Sequence, residues 1–386
     1  MGITSAAHRK YSIYASTCMM SSWTSENMNK IKVGIIGCGF VASKWHIPGF
    51  LRLERNTIIQ AVCDLNPSLA TSVAKQFNLP KSYSNVSEML QKEDLDIVDI
   101  CTPPRTHAPL AIEAMEKGCN VLLEKPMAMT LSECDEMIRV SQKNGSKLCV
   151  IHNELFRPPM IKARKMVEQG AIGKVLGMQW CRLTHREEYL AKENHWIHKL
   201  PGGVLGETGP HGVYTSLAFL KKVKNVEIAA KNNLKYPWAE FDYFNITLEG
   251  EELISNVIIS HASDNYVADV SIFGTEGILK LDMQSMLLMH YQIRETKPVS
   301  LALSSLKPAR QVVGGVISNA AKMLFSRNAL MQVNGTTTEI GQFVDSVVND
   351  KQPPVTGEEG RETVRVLELL VQKLDHKYSS SGNQGN

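Results

Sequence analysis

Short apolar runs rich in β-branched residues alternate with longer amphipathic stretches from residue 31 to about residue 151. The short runs predict buried strands, and the recurrence of apolar residues every three or four positions in the longer stretches predicts helices. The predicted strands are 31–36, 58–63, 96–101, 120–123 and 147–151, and the predicted helices are 41–52, 67–77, 86–92, 109–117 and 131–144. This order indicates a doubly wound parallel sheet with helices on both faces.

After residue 151 the strands become longer and alternate apolar with polar positions, which is typical of an antiparallel sheet with one covered face. The predicted strands are 174–184, 225–232, 240–249, 253–262 and 267–273, and the predicted helices are 160–169, 209–222, 336–350 and 357–375. The stretch 283–327 fits this pattern less well. Its part from Ser304 to Phe325 predicts a basic amphipathic helix that faces solvent or another subunit. We therefore expect an α+β domain with a largely antiparallel open sheet.

The length of 386 residues exceeds what one hydrophobic core usually holds, so two domains are expected. The pattern places a Rossmann-like α/β domain at 29–151 and an α+β domain at 152–386. Residues 1–28 contain no signal-peptide core and predict a disordered extension. A misassigned start is one alternative, because Met28 lies just before the first strand, and a weak organellar transit peptide is the other.

The composition excludes several classes of protein. The formal net charge is +3 with both signs interspersed, which argues against nucleic-acid binding. The sequence has no run of 18 apolar residues, so no membrane-spanning helix is predicted. The eight cysteines are single and form no Cys-x-x-Cys pair, which favours reduced, buried thiols in a cytoplasmic protein over a disulfide or metal framework.

A glycine-rich turn follows the first predicted strand directly and leads into a helix. Its first glycine permits a tight turn, and its second lets backbone amides approach a pyrophosphate at the helix N-terminus. The turn therefore predicts a dinucleotide site, formed by Gly37, Cys38, Gly39, Phe40 and Val41.

Asp64 ends the second predicted strand, at the spacing expected for a residue that binds the adenosine ribose. Its carboxylate would accept hydrogen bonds from the ribose hydroxyls and repel a 2′-phosphate, so it favours NAD over NADP. An ordinary surface aspartate after a strand is the alternative.

Two further segments lie at the carboxyl ends of predicted strands, where ligands of such sheets bind. Thr102 and Pro103 begin an extended turn that we expect to line the cofactor, and nearby His107 is either a cofactor-side residue or a packing residue. The Glu124-Lys125-Pro126 segment follows the next strand. A lysine beside a nicotinamide ring is suited to carry a proton to and from a substrate hydroxyl, whereas Glu124 is interpreted mainly as structural.

Glu207 and His211 lie four residues apart in a glycine-rich segment that leads into a helix, so a helical turn would bring both to one face. They are predicted to bind substrate hydroxyls and to relay a proton with Lys125. No third ligand stands at a diagnostic spacing, so no metal is predicted. A capping carboxylate and a packed core histidine are the alternatives.

Taken in order, these motifs resemble those of the Gfo/Idh/MocA family of glucose-fructose oxidoreductases, inositol dehydrogenases and rhizopine-catabolism dehydrogenases. The Glu-Lys-Pro element followed by the distal glycine-histidine element carries most of the resemblance. It implies a Rossmann domain and a substrate domain whose sheet serves oligomerisation, hence a homodimer or homotetramer. It gives Lys125 the catalytic lysine's place, His211 that of the histidine near the reacting hydroxyl, and Glu207 a place commonly held by aspartate.

The resemblance also implies a substrate role for Asn153 in the stretch after the fifth strand, and Trp196 is predicted to stack on a sugar or to pack in its loop. We therefore expect an NAD(P)-dependent oxidoreductase that exchanges a hydride with a secondary alcohol of a sugar, cyclitol or nucleotide sugar. A redox-neutral, NAD-dependent glycoside-cleaving enzyme and a non-catalytic protein that senses cofactor or sugar are the alternatives.

Overall fold

The first half of the chain forms a parallel sheet of six strands. The computed structural model describes residues 30–184, 190–292, 306–325 and 334–379. The strand order is β3-β2-β1-β4-β5-β6, and every pair is parallel. The strands are β1 (Ile31–Ile36), β2 (Thr57–Cys63), β3 (Ser82–Tyr83), β4 (Ile97–Ile100), β5 (Asn120–Leu123) and β6 (Leu148–Val150). All five predicted strands are confirmed, and the two-residue β3 is the one that the pattern missed.

The connecting helices begin and end where the sequence supplies caps. Asn66 accepts hydrogen bonds from the first turn of one helix, and Thr130 with Glu133 forms a reciprocal capping box at another. A π-helical turn, Ala42–His46, precedes α1 (Ile47–Leu51). The others are α2 (Pro67–Gln76), α3 (Val86–Lys92), α4 (His107–Glu116) and α5 (Leu131–Asn144), with a 3-10 turn at Pro104–Thr106.

The second half forms a mixed sheet of seven strands, in the order β13-β12-β11-β7-β10-β9-β8. Only β7 and β10 run parallel, so the predicted, largely antiparallel sheet is confirmed. The pattern missed β12 and β13. The strands are β7 (Val175–Leu183), β8 (Asn225–Lys231), β9 (Tyr243–Glu249), β10 (Ile254–Ser260), β11 (Val267–Gly274), β12 (Ile278–Asp282) and β13 (Leu287–Tyr291).

Within the described residues, five helices accompany this sheet: α6 (Pro158–Glu168), α7 (Val204–Leu220), α8 (Leu306–Phe325), α9 (Thr336–Val348) and α10 (Gly357–Ser379). Two 3-10 turns lie at Asn153–Phe156 and Trp196–Lys199. Both α9 and α10 also pack on the parallel-sheet half: α9 contacts α1, and α10 contacts α5. An ion pair between Arg361 and Asp135 supports the second contact. The two halves therefore share their closing helices.

The start of α7 differs from the prediction. The sequence predicted a glycine-rich flexible turn that leads into a helix at 209–222, yet the helix begins five residues earlier, at Val204. The glycines serve close packing: a Cβ at Gly206 would lie 2.7 Å from the Pro201 carbonyl oxygen, and one at Gly212 would lie 2.5 Å from Val257. Glu207 therefore lies in the first turn of a helix.

The helix predicted at Ser304 to Phe325 is present as α8, which packs on β13 and leaves apolar side chains exposed, among them Val313 and Ile317. Among the described residues, no helix is both long and apolar enough to cross a membrane. The seven cysteines in the described part of the chain are free thiols, and five of them are buried. Cys18 and the predicted extension lie outside the described residues.

Candidate active site

The glycine turn lies at the carboxyl end of β1. Gly37 has a φ of +94°, and a Cβ there would lie 2.8 Å from the Cys101 carbonyl oxygen, so only glycine fits. Gly39 has no atom within 4 Å of its Cβ position and faces open space. Phe40 is 70% exposed. The turn thus presents exposed backbone where a pyrophosphate would approach a helix N-terminus, and its residues fit a bound dinucleotide.

Asp64 lies directly beside this turn. Its Oδ2 accepts a hydrogen bond of 2.9 Å from the backbone N–H of Cys38, and its Oδ1 accepts one of 2.9 Å from the backbone N–H of Asn66. The carboxylate therefore fixes the turn and also places a negative charge next to it. The Cys38 side chain is buried, so this residue can offer a ligand only its backbone.

His107 is fully buried between two loops of the same sheet edge. Its Nδ1 lies 3.0 Å from the Pro126 carbonyl oxygen, and its Nε2 lies 2.7 Å from that of Thr102. Burial lowers the pKa of His107, against the effect of the two carbonyls. The packing alternative thus fits this side chain better than direct cofactor contact, and His107 holds in place the loops of Thr102, Pro103 and Pro126.

Glu124 belongs to a buried chain of charged groups that the sequence analysis missed. His46 lies with Nε2 2.9 Å from Glu124 Oε1 and with Nδ1 2.9 Å from Asp99 Oδ2. Burial opposes protonation of His46, but Asp99 and Cys101 together outweigh burial and raise the histidine pKa well above its usual value. The one sequence signal was Asp99, a charge inside an otherwise apolar strand. The chain ties β4, β5 and the helix after the glycine turn together behind Lys125.

Lys125 meets Glu207 across the two halves of the molecule. Lys125 Nζ donates to Glu207 Oε1 at 2.6 Å and to the Glu207 carbonyl oxygen at 2.9 Å, although the residues are 82 positions apart. The two side chains are 12% and 27% exposed. Burial opposes ionisation of Glu207, but Lys125 and His211 outweigh it and lower the pKa of this carboxyl. The structure thus brings the predicted lysine and carboxylate together.

A second buried chain holds Glu207 from behind. Thr208 Oγ1 donates to Glu207 Oε2 at 2.9 Å and lies 3.3 Å from Nε2 of His261. Because the single hydroxyl proton of Thr208 goes to Glu207, Nε2 of His261 is the donor in the second contact. His261 was not predicted from the sequence, since it lies just after β10, far along the chain from every motif.

His211 lies one helical turn after Glu207, with Nδ1 2.7 Å from the hydroxyl oxygen of Tyr214. Burial and the charge of Lys125 lower the pKa of His211 to about 4, so the ring is neutral at pH 7. Tyr214 also contacts Asn153 Oδ1 at 3.0 Å. A substrate contact for Asn153 stays a prediction, as does one for Trp196, which is exposed at the start of a 3-10 turn and packs against His195.

A buried ion pair lies beneath His211. Glu154 accepts hydrogen bonds from Arg182 and from the indole N–H of Trp180. Burial would raise the pKa of Glu154, but the charges of Arg182, His211 and Arg157 together with the hydrogen bond from Trp180 outweigh burial and lower the pKa. Sequence patterns missed this pair because Arg182 and Glu154 occupy positions that the strand and turn predictions do not distinguish from solvated ones.

The parallel sheet carries an open glycine turn and a lysine at its carboxyl edge, and the second half of the chain pairs that lysine with a carboxylate; these features define the class of Rossmann-type dinucleotide-binding proteins with a second, α+β half. Residues 31–152 match the family model "Oxidoreductase family, NAD-binding Rossmann fold", and residues 160–280 match "GFO/IDH/MocA C-terminal domain". The chain belongs to the Gfo/Idh/MocA family of oxidoreductases, as the sequence motifs predicted.

Individual relatives are distant. The chain is 27% identical to Oxidoreductase P35 of Formosa agariphila over 52% of its own length and 63% of that protein. It is 25% identical to D-apiose dehydrogenase of Paraburkholderia graminis over 70% of its length and 72% of that enzyme. Among solved structures, the WlbA dehydrogenase from Bordetella pertussis in complex with NADH and UDP-GlcNAcA has a TM-score of 0.73 and 18% identity, over 92% of this chain and 98% of that one.

Proposed function

We propose that this protein is an NAD-dependent dehydrogenase that acts on a secondary alcohol of a sugar, cyclitol or nucleotide sugar. The observation that carries this proposal is the ion pair of Lys125 and Glu207, which the second domain places at the sheet edge that bears the open glycine turn. A proton-carrying lysine at that edge is what oxidation of an alcohol requires. The sugar class is supported by relatives such as the D-apiose dehydrogenase.

The protein's own groups handle the proton and the orientation of the substrate. When bound, the nicotinamide ring supplies the hydride chemistry. In the direction of reduction, the ammonium of Lys125 donates a proton to the new alcohol oxygen. In the direction of oxidation, Lys125 takes up the hydroxyl proton once its own proton has left. Glu207 holds the amine in place through the bond of 2.6 Å.

His211 is the second group proposed to face the reacting hydroxyl. Because the ring is neutral at pH 7, it offers one nitrogen as an acceptor, which lets it orient the hydroxyl and share its proton with Lys125. Glu207 and His211 are thus proposed as substrate-binding residues on one face of α7. Asp64 supports the preference for NAD, since its carboxylate beside the glycine turn would repel a 2′-phosphate.

The test is a reduction assay with NAD and, separately, NADP against a panel of sugars, cyclitols and nucleotide sugars. We expect Lys125→Met to lower kcat by about 10²- to 10⁴-fold, the usual contribution of a proton-transfer group. Lys147→Met is the matched control, because Lys147 is also mostly buried, at 19% exposure, and forms an ion pair with Asp350 away from the site. The proposal fails if both variants reduce NAD as fast as the parent protein does.

The same panel separates the alternatives. A redox-neutral glycoside-cleaving enzyme would release a free aglycone with no net change in NAD, and a sensing protein would bind NAD without turnover. Gel filtration with light scattering tests the predicted homodimer or homotetramer independently.

A further inference from the structure

The hydroxyl of Tyr214 stands between His211 and a row of amide groups that ends at the start of α9. It lies 2.7 Å from His211 Nδ1, 3.0 Å from Asn153 Oδ1 and 3.3 Å from the backbone N–H of Glu154. The ring of Tyr214 is buried and stacks on His152, with centroids 4.2 Å apart. The oxygen of this hydroxyl is therefore held from three sides.

The backbone N–H of Thr336 can only donate, and it therefore sets the direction of the hydrogen bonds from Asn334 to Tyr214. The N–H of Thr336 donates to Asn334 Oδ1 at 3.3 Å, and the Thr336 hydroxyl donates to the same oxygen at 3.0 Å. The oxygen of the Asn334 amide must therefore face these donors. Asn153 lies 3.0 Å from this oxygen, so it presents its Nδ2 donor there.

The orientation of Asn153 then fixes the proton of Tyr214. With Nδ2 turned towards Asn334, the Oδ1 of Asn153 faces Tyr214 and accepts the hydroxyl proton. The backbone N–H of Glu154 donates to the hydroxyl oxygen of Tyr214 and occupies one of its two lone pairs. Only one lone pair remains for His211, so Nδ1 of the histidine must donate to it.

We propose that Tyr214 is a positioning residue that holds His211 as the Nδ1–H tautomer, so that Nε2 presents a lone pair to the substrate hydroxyl. Among the described residues, Nε2 of His211 has no hydrogen-bond partner, which leaves it available for a ligand. This inference rests on the proposed function for its kinetic consequence, but the tautomer itself requires no substrate. Each hydrogen bond in this chain fixes the direction of the next, from the N-terminus of α9 through Asn334, Asn153 and Tyr214 to His211.

The surroundings keep the ring neutral, which is necessary for a tautomer to exist. Lys125 and Arg182 oppose a further positive charge, while Glu207 and Glu154 favour it. Together with burial, the two cations prevail, and the pKa of His211 falls to about 4. At pH 7 the ring therefore carries one proton, and the hydrogen bond to Tyr214 decides which nitrogen holds it.

The direct test is NMR of protein labelled with ¹⁵N in the histidine rings, without substrate, at pH 7. The signals of His211 are assigned by their loss in His211→Gln. We expect a protonated Nδ1 and an unprotonated Nε2. A protonated Nε2, or a ring with both nitrogens protonated, would overturn the inference without any variant of the network.

Tyr214→Phe tests the cause, since it keeps the ring stacked on His152 and removes only the hydroxyl. We expect the Nε2–H form to appear, and kcat to fall by about 10- to 100-fold with a smaller change in KM, as for partners that orient a functional histidine. Tyr378→Phe is the control, because that hydroxyl bonds only the backbone of Ala230, away from the site. An unchanged tautomer in Tyr214→Phe would refute the proposal.

Asn334→Ala provides a second test if the tyrosine variant does not fold, because it frees Asn153 to turn its amide round. A mixture of both tautomers is expected, and a pure Nδ1–H form would contradict the directional chain. A protein with the Nδ1–H tautomer but no dehydrogenase activity would remove the proposed function and leave the positioning of His211 by Tyr214 intact.

Discussion

Two glycines of the same turn are expected to respond to alanine in opposite ways. At Gly37 the φ of +94° is unfavourable for alanine, and the added Cβ would lie 2.8 Å from the carbonyl oxygen and 2.9 Å from the carbonyl carbon of Cys101. Both obstructing atoms are backbone, so neither can rotate away. At Gly39 the same methyl group would meet no atom within 4 Å.

The magnitudes follow from these contacts. A side chain at a positive φ costs about 1–3 kcal/mol, and overpacking costs a further 1–3 kcal/mol. We expect Gly37→Ala to lose about 3 kcal/mol of the free energy of unfolding, which corresponds to roughly 4 °C in Tm for a chain of this length. Gly39→Ala should change stability by less than about 0.5 kcal/mol, as surface substitutions usually do. It should nevertheless weaken NAD binding by about tenfold or more, because the methyl group stands where the pyrophosphate would approach the backbone.

Thermal unfolding without ligand and calorimetric titration with NAD separate the two effects. The expected pattern is an unstable Gly37→Ala and a stable Gly39→Ala that binds NAD poorly. If Gly39→Ala bound NAD with the affinity of the parent protein, the dinucleotide could not lie on this turn. If Gly37→Ala were as stable as the parent, the steric argument at Cys101 would be wrong.

Two further predictions concern charge. Asp64→Asn keeps an acceptor for the Cys38 N–H but removes the charge that would repel a 2′-phosphate, so the ratio of kcat/KM for NAD over NADP should fall by about tenfold; an unchanged ratio would assign the preference elsewhere. Burial and neighbouring His211 lower the pKa of His152 in the folded protein to about 3. As the pH decreases below 6.5, His152 is therefore protonated in the unfolded chain before it is protonated in the folded protein, and the free energy of unfolding decreases. Each pH unit changes this contribution by about 1.4 kcal/mol, so between pH 6.5 and pH 5 the free energy of unfolding of His152→Phe should increase by about 2 kcal/mol relative to that of the parent protein. Urea titrations measure this difference, and the same pH dependence of stability in both proteins would contradict the low pKa.

The parallel sheet could be predicted because its determinants are local. Each of the five predicted strands from Ile31 to Val150 is a short apolar run, and caps such as Asn66 and Thr130 mark where the helices begin. The glycine turn and the Glu-Lys-Pro segment follow strands directly, so their place at the carboxyl edge follows from the topology. The structure confirms that place, although the roles of the individual residues remain predictions.

The start of α7 and the two last strands could not be predicted because they depend on tertiary contacts. Gly206 suggests a flexible turn when the segment is considered alone, whereas in the fold it allows Leu200 to pack against the helix. The strands β12 and β13 have five residues each, too few for a clear alternation. Tertiary packing therefore overrides the local preference in both cases.

The same distinction applies to the site. Lys125 was predicted because it ends a strand, but its pairing with Glu207 depends on how a second sheet and its helices pack on the first. His46, His261 and Tyr214 were missed because nothing in their neighbourhoods along the chain indicates that they meet charged or polar groups in the fold. Motifs thus identify residues that lie at the site, whereas several groups that orient those residues, such as Asn153 and His261, come from elements far apart in sequence.

Packing between the two halves and the chemistry of the site consequently depend on the same contacts. Lys125 of the first half bonds Glu207 of the second, and Glu339 on α9 accepts a hydrogen bond of 2.9 Å from the backbone N–H of His152. Burial raises the pKa of Glu339 well above its usual value. A substitution at these contacts between the halves would weaken their packing and displace Lys125 at the same time. Effects on kcat in this region therefore identify a role in proton transfer only when the apparent Tm is unchanged.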